Sequence, residues 1–398
     1  MWPPRHSEMR LERTRWQGRA AGLCAVAAAL LVSGCKPREF PQYPANYREY
    51  AYVTNGGSGT VTVIDVVNVR VDREIAVGQH PLAAAASPTR NEIYVVNAGT
   101  AAGTGSLTVI DAERNAVAAT IPLHRDPVSI DVDNEGALAY VANSGSNSVS
   151  IIDLKARREV AQLGTGEQPD AAVLSPDDKT LVVANRGGNS VTIFDARTRA
   201  LRAVFEGCPG AGEPVILPDS SKSFVPCAGG HQVMAIALAR AGDPAALPDR
   251  LEARMDVGRA PVNLALKPDG GELFVSNANS DTISEVVTST NDVGGAYMMG
   301  DEPVRGLVSR DNALLYVANQ RSQYVTIYSI DDGKRIGSVH VGDGPAALAF
   351  SANSYLLFVV DTRSEDVAVV RTALQSLFTL LPAGREPNAI VDKAFKVQ

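Results

Sequence analysis

Histidine, tryptophan and cysteine are scarce in this 398-residue chain, which carries five, two and four of them. No Cys-x-x-Cys-His run occurs, which excludes covalently attached haem. The missing His-Glu-x-x-His, Gly-x-Ser-x-Gly and phosphate-loop patterns exclude the helical zinc-protease site, the hydrolase nucleophile elbow and the nucleotide cradle that those motifs build. An excess of positive charge is lacking too: 37 Lys and Arg stand against 44 Asp and Glu, a formal charge of -7, which argues against nucleic acid as a partner. No apolar run is long enough to span a bilayer; the thirteen mostly apolar residues from Ala20 to Val32 fall short of the roughly 20 that a helix needs. Aromatic residues make up 6%, while small and β-branched residues are abundant and Gly and Pro punctuate the chain throughout.

What is present is a repeat. Tyr52-Val53-Thr54-Asn55 returns seven times with the same grammar, in segments ending at Asn97, Asn143, Asn185, Cys227, Asn277, Asn319 and Asp361. The spacings are 42, 46, 42, 42, 50, 42 and 42 residues. Each unit reads as Gly-x-x-Pro, an apolar strand, a turn, a strand ending in Asn, a Gly/Ser loop, a strand ending in Val-Ile-Asp and a last strand. That pattern predicts an all-β chain, a β-propeller of four-stranded blades. The chain begins on a second strand near Tyr50 and ends on a first strand, Glu386 to Phe395, so the C-terminal strand is expected to complete the first blade. The count predicts eight blades, with seven and one irregular unit as the alternative. The strand-ending Asn is expected to serve the turn through its own backbone, at positive φ, and the Gly to let successive strands reverse tightly.

Residues 1–34 have the layout of a secretory signal, with Arg5, Arg10, Arg13, Arg15 and Arg19 ahead of the apolar run. Val32-Ser33-Gly34-Cys35 resembles the bacterial lipoprotein box, which implies lipidation of Cys35 and an acyl anchor. Lys36 follows the cysteine, which by resemblance to Gram-negative lipoproteins implies the outer membrane. Residues 35–49, with Pro37, Pro41 and Pro44, read as an extended tether reaching on the order of 40 Å. The propeller is expected over 50–398. Removing residues 1–34 takes away five Arg and two Glu and moves the formal charge to -10.

Cys208 and Cys227 are expected to form a disulfide. Cys227 takes the strand-ending Asn position, and Cys208 opens an insertion that stretches Gly207 and Pro214 seven residues apart, where six other units keep three. Ligand candidates collect at the loops between blades. His80, His124, His231 and Arg125 lie in loops of one expected face, where a haem or metal site would use the histidines. Asn263 and Arg305 are polar where other units carry Ala, Ser or Ile, which makes them candidates for lining the central channel.

Tyr52-Val53-Thr54-Asn55, its copies and the Val-Ile-Asp strand ends resemble the YVTN family of β-propeller repeats over about residues 50 to 395. By that resemblance its relatives in fold include archaeal surface-layer propellers, lactonase-like propellers and the domain that carries haem d1 in nitrite reductase. The first expectation is a non-catalytic, lipid-anchored binding or scaffold module of the cell envelope, at the outer membrane and facing the periplasm or cell surface. Its partner would be a protein, peptide or glycan. The alternative is an extracytoplasmic cofactor carrier or enzyme of the haem d1, quinoprotein or lactonase kind, with its site at the channel mouth.

Overall fold

The computed structural model describes residues 40–100, 103–240 and 247–397. Cys35, the leader and the first part of the tether lie outside them. Within the unit Ala45–Gln398, 32 strands form eight four-stranded antiparallel sheets, the eight-bladed propeller that the repeat predicts. Blade 1 takes Tyr47–Asn55, Thr60–Asp65 and Arg70–Ala76 from the start of the chain and Pro387–Lys396 from its end. The first strand starts three residues ahead of the expected boundary. Its register with the last runs from Tyr47 opposite Lys396 to Asn55 opposite Pro387, so the C-terminal strand closes the ring. Blades 2 to 8 each read from inner to outer strand. Their inner strands are Pro81–Ala86, Pro127–Val132, Pro169–Leu174, Val215–Ile216, Pro261–Leu266, Pro303–Val308 and Pro345–Phe350.

The core sits between blades. In blade 4, Val182 and Ala184 pack toward Val225 and Met234 of blade 5, whereas Leu181 and Val183 pack toward Tyr140 and Ala142 of blade 3. Successive side chains of a strand point to opposite faces, and both faces here are covered. The middle strands are therefore near-continuous apolar runs, and large aromatics are not needed to fill a single thick core.

The strand-ending Asn does not serve its own turn. Asn143 has φ −104°, and Asn55, Asn97, Asn143, Asn185, Asn277 and Asn319 are fully buried. Their amides donate across to hydroxyls of the next strand: Asn55 to Thr60 and Thr62, Asn143 to Ser150, Asn185 to Ser190 and Thr192. The Gly of Gly-x-x-Pro lies against this side chain. A Cβ on Gly78, Gly166, Gly258, Gly300, Gly342 or Gly384 would come within 2.8 Å of the Asn, or in blade 8 the Asp, that it faces. Close approach, rather than a left-handed backbone, explains these glycines. Positive φ falls instead on the residue before the proline, among them His80, Asp126, Gln168 and Glu302.

Blade 5 departs from this scheme in the expected place. Cys208 and Cys227 are joined, with Cα atoms 4.8 Å apart and a sequence separation of 19. The bridge stands where six other blades put Gly against Asn or Asp, and it clamps the inserted loop ahead of an inner strand of only two residues. Closing a loop of this size contributes about 3 kcal/mol in the chain-entropy model. Reduction, or the double change Cys208→Ser and Cys227→Ser, should lower denaturant-unfolding stability by about that amount.

On the face opposite these loops, hydrogen bonds tie the first turn of one blade, or in blade 1 the end of the inner strand, to the next blade. Thr89 reaches the Glu135 carbonyl at 2.9 Å, Asn134 the Pro176 carbonyl at 2.8 Å, Arg310 the Ala352 carbonyl at 2.5 Å, and Lys393 the Ser87 carbonyl at 2.6 Å. That face is a linked rim, which leaves the loop face as the adaptable one.

Candidate functional site

The inner strands line a central cavity of about 380 Å³. A register shift follows the proline of each full-length inner strand in blades 2 to 4 and 6 to 8, so one extra residue sits opposite its neighbour. Such bulges re-aim side chains. In blade 4 the extra residue is Asp170, where other blades carry Leu82, Val128 or Ala346, and all four line the cavity. Ala83, Ala171 and Ala347 form small apolar wall between the charges.

Polar side chains on these strands first satisfy backbone. The Asn263 amide oxygen accepts the Gly306 N–H at 2.9 Å, Ser129 accepts the Ala172 N–H at 3.3 Å, and Asp131 accepts the Leu174 N–H at 2.8 Å. Each bond crosses from one blade to the inner edge of the next, pairing groups that would otherwise be unpaired. Asn388 works similarly, accepting from Thr54 and donating to the Pro81 carbonyl. Asn263 is 5% exposed and borders a second cavity of about 240 Å³ that shares Glu213 and Arg305 with the first.

Arg305 differs from these. Its guanidinium spans past blade 6 to Glu213, on the clamped loop of blade 5, at 2.9 Å. The two side chains are 42% and 52% exposed, so the pair is of the weak, exchangeable kind worth about 0–1 kcal/mol. Asn263 holds the backbone directly after Arg305, which fixes where the arginine starts. Asp170 lies 3.5 Å from Arg186. Burial pushes the Asp170 carboxyl up, the Arg186 charge pulls it down, and Glu213 adds to the rise. Burial likewise raises Asp131 against its two backbone N–H donors, with Glu213 again contributing. Glu213 is a smaller contributor than burial at both carboxyls.

The histidines and Arg125 are dispersed. His124 takes the glycine position of its unit and turns to Glu159 of an outer strand, 3.2 Å away. His231 accepts the Ala260 N–H at 3.3 Å, and His80 is exposed, its carbonyl accepting from Ala98. His340 stands edge-on to Tyr324, with centroids 5.0 Å apart. Arg125 is exposed and its backbone meets Gly145 and Ser146. None of them lines the central cavity. Among the described residues, no three His, Cys, Asp or Glu side chains gather as a metal site. Sequence reasoning brought Asn263 and Arg305 forward and passed over Asp170. The available signal was a charge directly after the proline, where other units are mostly apolar.

Sequence comparison matches the chain to no family model and to no curated protein. Solved structures resemble it in fold. The dihydro-heme d1 dehydrogenase NirN in complex with DHE aligns at TM-score 0.67 and 13% identity, covering 94% of this chain and 86% of its own. AztD from Citrobacter koseri aligns at TM-score 0.66 and 13% identity, over 88% and 99%. The periplasmic gluconolactonase PpgL of Pseudomonas aeruginosa aligns at 0.56 and 20% identity, over 75% and 97%. At such identities the likeness is one of architecture, shared by proteins with different activities.

Proposed function

We propose that this chain is a lipid-anchored binding module of the cell envelope, held through Cys35 at the outer membrane, whose propeller engages a protein, peptide or glycan partner at the channel mouth without catalysing a reaction. The observation that carries this reading is the Arg305–Glu213 pair: exposed, exchangeable charges presented over a cavity by a rigid ring. The rival reading, a cofactor carrier like the neighbour in complex with DHE, fits the lining poorly. Among the described residues, the cavity wall offers no His, Met, Cys or Tyr to hold an iron tetrapyrrole.

The membrane-extracted protein should be colourless and release no coloured, cofactor-sized molecule on denaturation, and cross-linking should capture a partner that Arg305→Ala releases. A visible chromophore, or a released mass that carries it, would overturn the reading in favour of a carrier. Cys35→Ser should move the protein from the membrane to the soluble fraction and abolish incorporation of labelled fatty acid. Continued membrane pelleting would remove the anchor from the proposal.

A further inference from the structure

The pairing of charges in the central cavity narrows the ligand class, on the reading that the channel mouth is a binding site. We propose that the cavity takes a small zwitterion, a free amino acid or short peptide, with its carboxylate on Arg305 and its ammonium on Asp170.

Among the described residues, Arg305 is the cation that lines the cavity and Asp170 and Glu213 are its carboxylates; Asp170 also lies 3.5 Å from the exposed Arg186, a weak partner that a ligand ammonium would have to replace. Glu213 occupies Arg305 at 2.9 Å, so it stands where a ligand carboxylate would sit. The loop that carries Glu213 is an insertion anchored by the disulfide at Cys208, whereas Arg305 grows from a strand whose next N–H is held by Asn263. The receptor charge is fixed and the competitor sits on the inserted loop, an arrangement suited to displacement. Guanidinium recognises a carboxylate with two parallel hydrogen bonds, which an ammonium cannot do.

When a ligand carboxylate takes Arg305, the displaced Glu213 leaves the cavity with more negative charge than before. An anion alone would meet that repulsion from Asp170 and Glu213. A ligand that also carries an ammonium cancels it. About 380 Å³ lies at the low end of small-ligand pockets, about 300–1,000 Å³, enough for an amino acid or dipeptide against the small wall of Ala83, Ala171 and Ala347. Asn263 is a positioning residue here, since its amide oxygen is spent on Gly306.

Calorimetric titration of the full-length lipidated protein with the twenty amino acids and dialanine tests this, with the neutral N-acetyl-alanine amide as control. Free zwitterions should bind and the capped compound should not. Arg305→Gln should weaken binding by about ten- to hundredfold, the effect of a lost charge-assisted hydrogen bond, and Asp170→Asn by about tenfold. Glu213→Gln should tighten binding by about two- to fivefold, because it removes a weak competitor. This opposite sign is what a merely structural pair would not give, and thermal melts confirm that each variant is folded. Absence of binding by every zwitterion, equal binding of the capped compound, or weakening by Glu213→Gln would each overturn the proposal. If zwitterions fail while cross-linked partner capture still depends on Arg305, this inference falls and the broader binding reading stands.

Discussion

A chain truncated after Glu386 is expected to yield no folded monomer. The lost strand, Pro387–Lys396, is the inner strand of blade 1 and pairs along the whole of Tyr47–Asn55. It also carries side chains into the core between blades 1 and 2, where Phe395 and Val391 pack with Tyr52 and Ile93. Phe395 lies against Tyr50 with ring centroids 6.2 Å apart. Lys393 and Asn388 tie blade 1 to blade 2 through the Ser87 and Pro81 carbonyls. Each large apolar side chain taken from the core costs about 1.5–3 kcal/mol, and the bared strand edge invites association. Several such losses together reach the roughly 5–15 kcal/mol that holds a folded domain. Expression followed by size exclusion and circular dichroism should show aggregate or unfolded chain. A monodisperse truncated protein melting within a few degrees of the intact one would mean that the ring does not depend on its terminal clasp.

The blade count and the clasp were legible because both follow from strand order: a chain that starts on a second strand and ends on a first strand can bury its edges only by pairing its ends. The disulfide was legible because Cys227 breaks a repeated position and Cys208 opens an insertion beside it. Less visible was the reason for the repeat's own letters. Gly-x-x-Pro and the strand-ending Asn look like separate turn signals about twenty residues apart, yet Gly166 and Asn185 exist for one contact. His124 shows the cost of reading residue type without register: it occupies a glycine position and so points outward to Glu159. Asp170 was missed because a bulge, invisible in a strand pattern, decides where it points. Arg305 was found because an arginine among Ala, Ser and Ile has no packing reason to be there.

Asp361→Asn is expected to stabilise the protein increasingly as the pH rises. Blade 8 places Asp361 where six blades have the buried Asn, and Ala368 where those blades have the Ser or Thr that accepts its amide hydrogen. The Asp361 carboxylate keeps the Gly342 N–H, at 3.0 Å, but its other oxygen and one of Asp366 are buried without a partner. Two such carboxyls settle by sharing a proton, and burial together with the Asp366 charge pushes Asp361 up to about 8. One blade away, burial beside Glu49 pushes Asp392 up to about 9, and Glu49 itself accepts the Ala352 N–H across the seam between blades 8 and 1. Both pairs therefore sit in the two blades that meet at this seam. An unfolded carboxyl releases its proton near pH 3.9. The folded state holds it to about 8 at Asp361, so between these values the folded form binds more protons and stability falls as pH rises. The slope is at most about 1.4 kcal/mol per pH unit for each such group. An asparagine at 361 replaces the shared proton with an amide that donates to the Asp366 carboxylate, as Asn185 does to Ser190. Denaturant unfolding from pH 5 to 9 should show the wild type weakening and the variant weakening less, its remaining slope coming from Asp392. Equal slopes would mean that Asp361 ionises in the folded state as freely as in the unfolded one, and the shared proton would have to be abandoned.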